Sequence, residues 1–163
     1  MTEIAGRQVA RNDLGVMAAG AAALVFSLLP YYGLSYKVAG ADFSASFNAW
    51  HGYATLGMLL LVAAAGVVAA RVFGGVTLPT LPLGWHVIVA GLAGLGTFLV
   101  ILRALTYPHI DVPGGSYGVK WGGYLLFLAA IAETVFAVMA LRDSGESVSF
   151  DRGTTDTPPP AAP

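Results

Sequence analysis

Four long apolar stretches, separated by short segments rich in Gly, Pro and aromatic residues, dominate the pattern along this chain. They cover residues of about 14–34, 51–73, 85–107 and 121–142. Each is near the ~20 residues that cross a ~30 Å hydrocarbon layer as a helix. The spacing predicts four spanning helices and, with connections this short, an all-α integral membrane four-helix bundle over residues 1–142. The first run is longer than the ~7–15 apolar residues of a cleaved leader, so it is read as a retained span even though Arg7 and Arg11 precede it. Pro30 falls in its last turns, and Tyr31, Tyr32 and Tyr36 follow as a headgroup-level aromatic belt. Asn12 or Asp13 is a candidate cap for the helix start.

In the first connection, Phe43, Phe47 and Trp50 recur at helical spacing, which suggests a short segment lying on the bilayer and capping the bundle. After Arg142 the composition turns acidic, Ser/Thr-rich and finally Pro-rich. Residues 143–163 are therefore expected to form a disordered tail with too little apolar surface to fold.

Composition narrows the picture further. Charged residues make up 10% of the 163 and hydrophobic ones 56%, against about a quarter charged in ordinary soluble domains. A net charge of −1 gives no basic footprint for nucleic acid. The absence of Cys removes thiolate metal sites and thiol nucleophiles. No phosphate-cradling glycine loop, nucleophile elbow or HExxH pair is present. Lys and Arg are biased: Arg7, Arg11, Arg71, Arg142 and Arg152 fall on one side of a four-span chain, Lys37, Arg103 and Lys120 on the other. That bias places both termini in the cytoplasm of a multi-pass plasma-membrane protein.

Glu133 stands halfway along the fourth run. A carboxylate at that depth costs ~2.5 kcal/mol or more, so it is expected to be paired, protonated or functional. It shares a helical stripe with Leu126, Ala129, Ala130, Ala137 and Ala140, whose small side chains let another helix approach. Arg103 is the expected partner, leaning down an outward-running helix while Glu133 leans up an inward-running one. The small faces Ala129/Ala130/Ala137 and Gly91/Gly94/Gly96 also suit a second copy or a membrane-protein partner, besides the lipid bilayer. His51, His109 and Asp111 form a candidate polar cluster at the outer rim. They lack fixed ligand spacing and are read as interfacial residues, with no metal. His51 and His86 begin spans on opposite sides, so they cannot share one haem iron, and no cofactor is expected.

The motifs NDLGV before the first span, FSLLPYY at its outer end, SFNAWHGY entering the second and RALTYP closing the third resemble those of a group of small actinobacterial four-span membrane proteins of unknown function. The resemblance covers residues 12–142. It implies the four-span topology and no catalytic residue. The expected function is that of a noncatalytic membrane protein, an accessory or assembly component of the cell envelope. The alternative is a small proton-coupled transporter or channel in which Glu133 titrates.

Overall fold

The computed structural model describes residues 2–4, 7–38, 40–74, 83–107 and 115–146. The expected tail therefore lies outside the described residues from position 147 onward. A short antiparallel hairpin opens the chain: β1 (Thr2–Ile4) pairs with β2 (Arg7–Val9). Helix α1 (Arg11–Ser27) leads to strands β3 (Tyr32–Val38) and β4 (Ala41–Phe47). Helices α2 (Ala54–Phe73) and α3 (Trp85–Leu105) follow, then β5 (Ser116–Val119) and α4 (Trp121–Ser144). The helices alternate in direction and pack in a ring, α1 against α2 and α4, α3 against α2 and α4. Strands β4, β3 and β5 make an antiparallel sheet in that order. It is built from the α1–α2 and α3–α4 connections, so it covers one end of the bundle. Arg11, Arg71 and Arg142 lie at the other.

Three helices, α2, α3 and α4, are long and apolar enough to cross a membrane. Small residues fill the interior: Gly20 and Ala23 of α1, Gly57 and Ala64 of α2, Ala93 and Gly96 of α3, Ala130 and Ala137 of α4. Large apolar side chains such as Leu59, Phe98, Leu128 and Ile131 face outward. The helices therefore approach closely where their side chains are smallest. Gly57 and Gly96 meet backbone to backbone. A Cβ on either would stand 2.9 or 2.8 Å from the other's carbonyl oxygen, and backbone cannot swing aside. Two apolar clusters occupy the interior. One lies toward the sheet around Tyr31, Met58, Leu61, Val100 and Leu126, the other toward the opposite end around Val16, Val68, Val89 and Ala137.

Helix α1 ends at Ser27, well short of residue 34. Pro30 disfavours helical backbone at Leu29 and cannot itself donate into the last turn. Beyond it, Tyr32, Leu34, Tyr36 and Val38 alternate with Gly33, Ser35 and Lys37, which is a strand period. The first connection is accordingly a β-hairpin and not a helix on the surface. Tyr32 lies opposite Phe47 and Val119, and Leu34 opposite Ala45 and Tyr117, so the apolar residues share one face. The cap expected from Asn12 or Asp13 is also absent. Ala10 precedes the helix, and Asn12 Nδ2 instead donates to Asp143 Oδ2 at 2.6 Å, tying α1 to α4.

Gly96→Ala is expected to lower stability by about 1–3 kcal/mol through overpacking against Gly57. Gly91→Ala, where an added Cβ meets nothing within 4 Å, should be neutral or slightly stabilising. Thermal unfolding in detergent compares the two.

Candidate functional site: a buried carboxyl between two clamped ends

Glu133 lies midway along α4, at the junction of the two apolar clusters, and is fully buried. The stripe read from the sequence is buried with it: Leu126, Ala129, Ala130, Ala137 and Ala140 all face inward. Those alanines are covered by this chain's own helices and leave no free face for a second copy there. Of the glycine face on α3, Gly96 is likewise buried, Gly94 is half-buried and Gly91 is exposed.

Neither carboxyl oxygen of Glu133 has a hydrogen-bond partner among the described residues. The Thr97 and Thr134 hydroxyls at this depth are already engaged. Thr97 Oγ1 lies 2.9 Å from both Ala130 O and Thr134 Oγ1, and Thr134 Oγ1 reaches Ala130 O at 3.1 Å. The two hydroxyl protons are used within that trio, leaving none for the carboxyl. Against α1 the carboxyl meets Gly20, where an added Cβ would stand 3.1 Å from Oε1. Among the described residues, Glu133 is the one fully buried acidic or basic side chain. No titratable group occurs between Asp13 and Tyr31 on α1, between Tyr53 and Arg71 on α2, or between His86 and Arg103 on α3. On α4 nothing else titrates between Tyr124 and Arg142.

Arg103 does not reach it. The expected pairing required the guanidinium to lean inward, but aromatic faces at the sheet end hold it there. Its Cζ sits 4.6 Å from the Tyr107 ring centre and 5.3 Å from that of Tyr53, cation–π geometry worth ~0.5–2 kcal/mol. Tyr107 in turn stacks on Tyr32 at 3.7 Å. Gly52, at φ +63°, closes over the guanidinium, and a Cβ there would come within 3.3 Å of Cζ. Arg103 Nε is buried with no hydrogen-bond partner among the described residues. This end is further tied by the Tyr31 hydroxyl, which donates to Val100 O, and by Trp50 Nε1, which donates to Ser27 Oγ at 2.9 Å. Of the proposed rim cluster, His51 is exposed and rests edge-on against Phe47. His109 and Asp111 lie outside the described residues.

The opposite end carries a group that sequence reading missed. His86, in the first turn of α3, bridges Arg71 from the last turn of α2 and Glu146 just beyond α4. Arg71 Nη1 lies 3.2 Å from His86 Nε2, and His86 Nδ1 lies 3.1 Å from Glu146 Oε1. A guanidinium only donates, so Nε2 must accept. The ring is then the neutral Nδ1–H tautomer, which donates onward to Glu146. Glu146 Oε2 also accepts from the His86 backbone N–H at 3.0 Å. Helix α3 has no side-chain cap of its own, so a carboxylate from beyond another helix serves in its place, where the helix dipole favours negative charge. Gly145, at φ +69°, turns the chain off α4 toward that position. Partial burial acts to raise the Glu146 pKa. Hydrogen bonds from the His86 ring and backbone, with the charge of Arg71, outweigh it and hold the carboxyl below its ordinary value.

The chain matches no family model, no curated protein and no solved structure.

Because Arg103 and Glu133 are not partners, Arg103→Gln and Glu133→Gln should be additive within about 0.5 kcal/mol in a thermal-unfolding double-mutant cycle. At the other end, Glu146→Ala should cost about 1–2 kcal/mol, the value of a helix cap. Glu146 has a depressed folded pKa, so its contribution is complete above its unfolded value of 4.5 and is lost as pH falls through the lower folded value. The stability gap between wild type and Glu146→Ala should accordingly be flat above pH 4.5 and close below it.

Proposed function

We propose that the chain is a four-span protein of the plasma membrane with both termini cytoplasmic. In this reading it is a noncatalytic accessory or assembly component of the cell envelope that presents the three-stranded sheet outside. Three apolar helices of spanning length support the membrane placement, as do small residues inside the bundle and large apolar residues around it. Helix α1, at 17 residues, covers about 26 Å and completes its crossing through the apolar segment that follows. Segregation of Arg11, Arg71 and Arg142 to the end opposite the sheet supports the orientation.

The observation that carries the accessory role is strand β4. All seven of its residues are exposed, and it forms one of the two edges of the sheet, the longer one. Natural proteins usually blunt such edges with lysines, prolines or short length. This one carries a single charge, Asp42, and two exposed phenylalanines, Phe43 and Phe47. An extended segment of another envelope protein can add there as a further strand, its backbone pairing with the edge. The size and topology also fit the small actinobacterial group that the sequence motifs resemble. A second reading, proton-coupled transport, is favoured by the unpartnered Glu133 carboxyl.

The natural absence of cysteine makes the topology directly testable. Ser44→Cys should react with a membrane-impermeant maleimide in intact cells, and Ser144→Cys only after permeabilisation. The reverse pattern would overturn the orientation. For function, a photo-crosslinker at Phe43 in native membranes should give one discrete adduct that the same group at lipid-facing Leu128 does not give. The purified chain in liposomes should pass no solute in a Glu133-dependent manner. Flux by the purified chain that disappears in Glu133→Gln would replace the accessory reading with the transport one.

A further inference from the structure

Helices α1 and α2 leave a groove of about 240 Å³ on the outside of the bundle. Met17 and Leu24 line one wall, Val62 and Ala69 the other. The floor is the seam where Gly20 of α1 meets Ala65 of α2, and an added Cβ at Gly20 would collide with the Ala65 methyl. Directly behind that seam stands the Glu133 carboxyl, 3.1 Å from the position of the same added Cβ. The two closing residues have no side chain longer than a methyl. A group seated at the floor is therefore within one atomic layer of two buried oxygens that have no partner among the described residues.

Each property of this place restricts what can occupy it. The lining is apolar, so the body of the ligand is hydrocarbon. The opening faces sideways, between two helices whose outer surfaces are apolar, so the ligand arrives from the hydrophobic phase. The volume lies below the ~300–1,000 Å³ of common ligand pockets, so the ligand is small. The one uncompensated group is a carboxyl, and no other titratable side chain faces it from α1, α2, α3 or α4, so the ligand supplies positive charge. A buried ion of one sign is stable when the opposite charge is brought beside it.

We propose that this groove binds a small hydrophobic cation, an alkyl- or arylammonium, with its apolar body between α1 and α2 and its charge facing the Glu133 carboxylate across the thin Gly20–Ala65 seam. Where the carboxyl carries a proton beforehand, the cation displaces it to water and the bundle keeps the same net charge. The site does not depend on the accessory role, since binding here leaves strand β4 untouched.

Two glycines supply matched controls. An added Cβ at Gly66, which lines the groove, meets nothing within 4 Å, and the same holds for Gly91 on α3, outside the groove. Gly66→Leu is thus expected to fold and to fill the groove, and Gly91→Leu to fold and leave it open. The probe is benzyltrimethylammonium, titrated calorimetrically into the full chain in nanodiscs of zwitterionic lipid, with neopentylbenzene as the uncharged molecule of equal shape. Saturable binding of the cation by wild type and Gly91→Leu is expected, weakened at least tenfold in both Glu133→Gln and Gly66→Leu, with no saturable binding of the hydrocarbon. The proposal is overturned if wild type does not bind the cation, if Gly66→Leu binds it as well as wild type, or if the hydrocarbon saturates the same site. Should Glu133→Gln fail to fold, the comparison of Gly66→Leu with Gly91→Leu decides alone.

Discussion

An ionisable carboxyl held in the middle of an apolar bundle, with no side chain among the described residues to take its charge, is the condition the rest of this structure is arranged around. Such a group costs several kcal/mol if left charged and alone, so its surroundings must be fixed by something else. Here the fixing is done by size. Alanines on either side of Glu133 bring α1 and α3 close to α4, and Gly20 leaves room for the carboxyl where any other residue would push it away. The Thr97 and Thr134 hydroxyls, at this depth on α3 and α4, are turned to Ala130 O. The consequence is a group that a proton or an outside cation can neutralise and that the described residues do not.

The bundle keeps this arrangement because its polar interactions are concentrated at its ends. Toward the sheet, Arg103 is held by the Tyr53 and Tyr107 rings, and Tyr31 and Trp50 reach across to α3 and α1. At the far end, Asn12 and Asp143 join α1 to α4, while Arg71, His86 and Glu146 join α2, α3 and the residue beyond α4. Hydrogen bonds at the ends set register and spacing, and the apolar middle transmits them to the Gly20–Ala65 seam. Both the accessory reading and the cation site rest on this division. The sheet end offers an open strand, and the middle offers an open charge.

Much of this was legible along the chain. Helices α2, α3 and α4 lie within a few residues of the apolar runs, because each run is long and holds no proline to break a helix. The buried stripe through Glu133 followed from helical periodicity alone. The sheet did not, although its signal was present. In residues 32–38 and 41–47 apolar and polar positions alternate, but residues 32–34 abut an apolar helix and read as its end, which splits the first run of seven. Phe43 and Phe47 are spaced four apart, which suits a helix face and one face of a strand equally. Arg103 was legible as a cation within a span, but its partners were not, since the competing attraction comes from Tyr53 ahead of α2 and from Tyr107 one turn further along its own run. Glu146 was hidden for a different reason. It stands at the edge of a polar tail whose composition argues against order, and only the αL turn at Gly145 returns it to α3.

The most direct test of the buried, sideways-facing carboxyl is covalent modification of Glu133 by carbodiimides of opposite solubility, read by mass spectrometry of the protein in membranes. A carbodiimide adds to a carboxyl to give a stable acylurea with no other reactant, so the readout requires only access. The lipid-soluble dicyclohexyl reagent is expected to modify Glu133 in wild type and to be slowed in Gly66→Leu, and a water-soluble carbodiimide should leave the residue untouched. Modification of Glu133 by the water-soluble reagent, or none by the lipid-soluble one, would contradict the placement of this group behind the α1–α2 groove.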